Sequence, residues 1–283
     1  MNGSNLSRQR LLLIFYVVTF GISWCGVAIA VSYGGIPRDA AQMARMIPVL
    51  VLAMLAGPAL ASILFTRIAG GRMAYSDLLS ALICWRVPMG WYTAALLTAP
   101  LVLMTVPCAL SLRFPNFLPR ILTVHNKGQI LLMGFIVGSI AAFFEELGWT
   151  GFVPRLRLTL GSFSTAFIVG VLSGAWHLPV NILSCVTQAG ISVSSLVGTL
   201  IFSLGLLPAY RILMVRVWDR SGSLLLAMLM HLTLTASNII LGPAVTPGTM
   251  AITFNLALAG AMWIVAAATV VASRSHHSVV CGT

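Results

Sequence analysis

Eight apolar stretches of roughly 20 residues, separated by short segments that hold most of the charge, set the pattern of this chain. A helix needs about 20 apolar residues to cross the hydrocarbon of a bilayer, so each stretch reads as a membrane span. The expected spans are 11–33, 47–66, 91–112, 129–152, 162–183, 194–213, 224–241 and 250–272. Gly34-Gly35-Ile36-Pro37 breaks the chain after the first, and Gly57-Pro58 marks a candidate kink in the second. Between the second and third, residues 67–90 set Arg67, Arg72, Asp77 and Arg86 around the short apolar run 78–85, a pattern that suits an interfacial helix. Residues 113–127, with Pro115 and Pro119, form a polar connection. The expected fold class is an all-α polytopic integral membrane protein with about eight transmembrane helices. No composition shift or internal repeat divides it, so 1–283 reads as a single membrane domain with its core motifs within 129–241.

Composition agrees. The chain is 59% hydrophobic and 7% charged, where a soluble domain carries about a quarter charged residues. Its net charge of +11 would suggest nucleic acid on a soluble protein. Here the basic residues stand singly between apolar runs, as topology signals do, and no nucleic-acid partner is expected. With the N-terminus inside, the cytoplasmic segments hold Arg8, Arg10, Arg67, Arg72, Arg86, Arg155, Arg157, Arg211, Arg216, Arg220 and Arg274. The outer segments hold Arg38, Arg45, Arg113, Arg120 and Lys127. Eleven against five predicts a multi-pass protein of the cell membrane with both termini cytoplasmic. The first apolar run lacks a small-residue cleavage site after it and reads as a retained helix. The five cysteines show no CxxC spacing and read as small apolar residues or free thiols, with no disulfide framework.

Polar residues inside apolar runs carry the candidate chemistry. Glu145 and Glu146 are the chain's two glutamates, side by side at the end of the fourth span, and His177 and His231 lie within the fifth and seventh. Removing a carboxylate from water costs several kcal/mol, so an ionisable residue at membrane depth is a functional-site candidate. Glu145 is expected about 10 Å from the cytoplasmic end of its helix, at 1.5 Å per residue, so the site should open toward the cytoplasm. Neighbours on a helix point about 100° apart, so one glutamate can face a cavity while the other holds a backbone group or a histidine. A buried carboxylate is a good general base for water, and a neutral imidazole can share that task or bind a metal. A divalent metal such as zinc, on Glu145, His177 and His231, is therefore the one candidate cofactor. The bland alternative is that these side chains bond helix to helix. Asn238 lies seven residues after His231 on nearly the same face, where it could donate to a substrate carbonyl; taken alone it reads as structural. Trp149 and Trp176 are expected to line or pack the site, while His125, His276 and His277 sit in polar segments.

Three ordered motifs carry a resemblance. Glu145-Glu146-Leu147-Gly148-Trp149-Thr150-Gly151-Phe152, followed by Pro154-Arg155-Leu156, resembles the first motif of the CAAX protease and bacteriocin-processing (CPBP) family. Ser173-Gly174-Ala175-Trp176-His177-Leu178-Pro179 is similar to its second, and Gly222-Ser223-Leu224 with His231 to its third. Trp85-Arg86-Val87 before Trp91-Tyr92 is similar to the region ahead of the family core. The resemblance implies an eight-helix intramembrane endopeptidase whose characterised relatives remove the last three residues of prenylated CAAX proteins. It implies that Glu145 and His177 activate a water, and that His231 and a later Asn stabilise the oxyanion. The implied partners are the lipid bilayer and a protein or peptide substrate, prenylated substrates among them. The chain departs from the family twice. Thr150 stands where E-E-x-x-x-R has its Arg, and Thr235 where an Asn commonly follows the third-motif His by four residues. The candidate set is Glu145, Glu146, His177, His231, Thr235 and Asn238. Competing readings are a non-catalytic bacteriocin self-immunity or scaffold protein and a proton-coupled transporter with Glu145 as relay, the latter without the inverted repeats transporters show.

Overall fold

The structure is a computed structural model and describes residues 3–151, 161–244 and 248–272. Three long helices come first: α1 (Gly3–Gly34), α2 (Ala40–Leu82) and α3 (Met89–Ser111). A single 3-10 turn and the four-residue α4 (Arg120–Thr123) lead to α5 (Lys127–Trp149). Next come α6 (Ser162–Trp176), the short α7 (Leu178–Ser184) and a small hairpin pairing Val186–Thr187 with Gly190–Ile191. Then α8 (Val193–Leu200), a π turn (Ile201–Leu206) and α9 (Leu207–Ser221) run on as one rod. The described chain ends with α10 (Leu224–Leu241) and α11 (Thr249–Ala272).

Among the described residues, seven helical stretches are long and apolar enough to span a bilayer; α6 and α7, bent by 43° at their junction, pass the same test only together and make an eighth if the pair is one span. The protein is an all-α polytopic membrane protein. Leu13, Leu52, Leu101, Phe135 and Ile264 point outward, as expected where the surroundings are lipid chains no more polar than leucine.

Two expectations need correction. The separate interfacial helix at 67–90 is instead the end of α2, which continues unbroken through Pro48 and Pro58 to Leu82. Its 43 residues measure about 64 Å at 1.5 Å each, twice the hydrocarbon thickness, so its last third lies beyond the apolar span. The fifth span, in contrast, is broken. Pro179 has no N–H to offer the Ala175 carbonyl; the chain tightens, His177 N bonding Gly174 O at 3.2 Å, and restarts as α7 with Pro179 in its first turn. His177 sits at the bend. Cys25, Cys108 and Cys185 carry free thiols as expected, whereas Cys84 is disulfide-bonded.

Small residues set the approaches that matter for the site. A Cβ on Gly138 of α5 would meet the Leu232 carbonyl of α10, and one on Gly174 of α6 would run into the Ser203 carbonyl in the π turn. These contacts draw α5 to α10, and α6 to the π turn, closer than larger residues permit. The motif tryptophans pack rather than react. Trp149 and Trp176 are buried and meet edge to face at 5.7 Å, and Trp176 Nε1 donates to Ser23 Oγ of α1 at 2.8 Å.

Candidate active site

Glu146 is fully buried, and three groups from three helices hold its carboxylate. Arg211 of α9 donates from Nη1 to Oε2 at 2.7 Å and from Nη2 to Oε1 at 3.0 Å. The Thr150 hydroxyl, one turn along α5, donates to Oε2 and accepts from Arg211 Nη1 at 3.2 Å. His231 of α10 places Nδ1 2.6 Å from Oε1. A two-pronged guanidinium on a carboxylate is the strong form of ion pair, and its low exposure (5% for Arg211, none for Glu146) keeps competing water away. With the carboxylate charged by that pairing, Nδ1 of His231 carries the proton it shares, and Nε2 is left for the other side of the ring.

That other side faces Glu145. Its Oε1 lies 3.9 Å from His231 Nε2, beyond direct hydrogen-bond range and the spacing at which a bridging water belongs. Trp149 Nε1 donates to Oε2 at 3.3 Å, fixing the carboxylate from below. His177 Nδ1 lies 2.7 Å from the Ser173 carbonyl, which obliges Nδ1 to be the donor and leaves Nε2 unprotonated in the neutral ring. Glu145, His177, His231, Thr235 and Asn238 all line one cavity of about 220 Å³, together with Tyr210 and Arg211. The helix phases explain the sorting: with neighbours about 100° apart, α5 turns Glu145 to the cavity and Glu146 into the wall.

Five of the six expected residues thus meet at one cavity, and Glu146 supports it from behind. Thr235 is half-buried beside His231, while Asn238 is exposed, farther along the same lining. The cavity lining runs from Glu145 to Asn238 and Ile239. At the near end the helix stops at Trp149, about 6 Å beyond Glu145, and Trp149 and Thr150 are buried there. Trp149 and Trp176 pack behind the site rather than line it. His125 is exposed; His276, His277, Phe152 and the Pro154-Arg155-Leu156 stretch fall outside the described residues.

The sequence reading missed Arg211 by treating it as a cytoplasmic topology charge. The signal was present: Arg211 falls inside the expected span 194–213, and a charge there is itself a site candidate. Motif three has a local explanation. Gly222, at φ 65°, ends α9 in the left-handed conformation, and Ser223 caps α10 by accepting from Leu226 N while its hydroxyl donates to the Cys84 carbonyl at 2.6 Å. This turn fixes where α10 begins and hence the depth of His231.

Among the described residues, no three His, Cys, Asp or Glu side chains are grouped as a metal would need. Glu145, His177 and His231, the three expected ligands, do line the same cavity, and His231 gives Nδ1 to Glu146.

Residues 127–237 match the family model described as type II CAAX prenyl endopeptidase Rce1-like, about two fifths of the chain. No curated protein matches it. The matched segment runs from the first residue of α5 to the last turns of α10 and includes Glu145, Glu146, His177, Arg211, His231 and Thr235.

Proposed function

We propose that this chain, which carries the type II CAAX prenyl endopeptidase segment across residues 127–237, is an intramembrane endopeptidase that hydrolyses a peptide bond with a glutamate-activated water. The observation that carries the reading is the unlike treatment of the two adjacent glutamates. Glu146 is locked under His231 by Arg211, and Glu145 is left open to the cavity 3.9 Å from His231 Nε2.

In this mechanism Glu145 takes a proton from the water, and the unprotonated Nε2 of His177 orients it. The hydroxide adds to the substrate carbonyl. His231 reaches the resulting oxyanion through Nε2–H when its ring carries both protons, while Glu146 keeps Nδ1–H in place, much as an acid orients a catalytic histidine. The Thr235 hydroxyl donates beside it. Glu145 then returns its proton to the leaving amine. The substrate is a protein or peptide segment that reaches the site within the bilayer, and a prenylated C-terminus is the substrate the family description suggests.

Orientation rests on the basic bias. Moving Arg211 from the topology set to the site leaves ten basic residues against five, which still favours cytoplasmic termini. Reporter fusions after Arg220 should read cytoplasmic and after Gly190 external; the reverse pattern would invert the assignment. The activity test is cleavage of prenylated and unprenylated peptides by purified protein in liposomes, followed by mass spectrometry. Wild-type protein should hydrolyse at least one peptide, and folded Glu145→Gln none. Wild-type inactivity across the whole set, or cleavage retained by Glu145→Gln, overturns the proposal.

A further inference from the structure

Beyond Asn238 the catalytic cavity adjoins a second, wider one of about 450 Å³, and the two share Phe202, Asn238 and Ile239. The second cavity is polar. Arg120, Asn181, Ser203 and Asn255 line it, and no acidic side chain among the described residues does. It lies at the end of α10 where the chain passes through Gly242 and Pro243, away from Glu145.

Arg120 is built into this wall. Its backbone N–H bonds the Gly242 carbonyl at 3.3 Å, and residues on either side form an isolated bridge, Pro119 with Pro243. Its guanidinium donates once, from Nη2 to the Pro243 carbonyl at 3.3 Å, and has no carboxylate partner among the described residues. A guanidinium offers five N–H donors in a fork that matches a carboxylate. Asn181 donates to Ser203 Oγ at 2.7 Å and Asn255 to the Gly198 carbonyl at 3.0 Å, each with amide capacity left over. Asn238, at the junction, makes no side-chain hydrogen bond among the described residues.

We infer that the second cavity is a substrate subsite for a carboxylate, with Arg120 as its specificity-determining residue and Asn238 holding the intervening peptide backbone. The inference rests on the endopeptidase reading for its role in turnover, though the binding it describes does not. Length supports it. From His231 to Gly242 is eleven residues of α10, about 16 Å at 1.5 Å per residue. An extended peptide covers about 3.3–3.6 Å per residue, so four or five residues bridge the reacting bond and the guanidinium. The carboxylate belongs either to the free C-terminus of a substrate or to an acidic side chain near it.

The test measures binding in folded Glu145→Gln protein, where turnover does not interfere. Three probes are compared: N-acetyl-tetra-alanine as the free acid, the same peptide as its C-terminal amide, and an amide with glutamate as its last residue. The free acid or the glutamate peptide should bind about ten- to a hundredfold tighter than the neutral amide, the span of one hydrogen-bonded charge pair. Which of the two does so identifies the source of the carboxylate. Arg120→Gln should erase the preference, and Arg120→Lys, which keeps the charge, should retain part of it. Equal binding of all three probes, no binding of any, or a preference that survives Arg120→Gln overturns the subsite. Cleavage by wild-type protein without a carboxylate preference would remove the subsite and leave the endopeptidase. A preference without cleavage by wild-type protein would do the opposite.

Discussion

Glu145 and Glu146 share a helix turn and differ in almost everything else. Glu146 belongs to a dry cluster in which Arg211, Thr150 and His231 satisfy both carboxylate oxygens. Glu145 has one packed partner, Trp149, and otherwise looks into a cavity shared with His177, His231 and Thr235. The first arrangement holds a geometry; the second leaves room for a reacting water. The comparison also accounts for the departure at Thr150. Where the family motif places its cation on the same helix as the glutamates, this chain brings Arg211 across from α9 and keeps a hydroxyl at position 150 to bond both charges.

The largest expected effect follows from breaking the dry cluster. Arg211→Met leaves a buried carboxylate without its cation and should destabilise the protein by about 3–5 kcal/mol, read as a large drop in melting temperature in detergent. The paired change Thr150→Arg with Arg211→Thr returns the cation to α5 and should recover much of that loss. A double variant no more stable than Arg211→Thr alone would show that position 150 cannot supply the charge.

Next comes the cavity side. Thr235 neighbours His231, while Asn238 lies about 10.5 Å along the helix axis from it, at the junction of the two cavities. Thr235→Val should slow turnover by about two to three orders of magnitude if its hydroxyl serves the oxyanion. Asn238→Ala should act mainly on KM, and Thr235→Asn should restore or raise the rate. If Asn238→Ala abolishes turnover while Thr235→Val leaves it normal, the oxyanion assignment is wrong. A smaller effect should come from Trp149→Phe, which keeps the packing but drops the hydrogen bond to Glu145. A loss of about tenfold in kcat at unchanged melting temperature is expected, and no change would show that Trp149 does not position the base.

The sequence made the spans legible because about 20 apolar residues in a row admit few other structures, and α10 begins and ends where the pattern placed it. It also made the cavity residues legible, since each is a polar exception in an apolar run. Partnerships across distance were not. Arg211 and Glu146 stand 65 residues apart, and a topology count gives every arginine the same meaning. Proline was ambiguous for a similar reason. Pro58 passes within α2 while Pro179 restarts a helix, because packing around each, and not its type, decides which outcome is tolerated.

The most direct measurement is a matched pair, Glu145→Gln and Glu146→Gln, each assayed for melting temperature and for peptide cleavage in liposomes. Glu145→Gln should melt close to wild type and lose turnover by about two to four orders of magnitude, the usual contribution of a general base. Glu146→Gln should lose stability first, because it strands the buried Arg211. Equal destabilisation of both, or substantial cleavage by Glu145→Gln, would contradict the division of labour between the two glutamates.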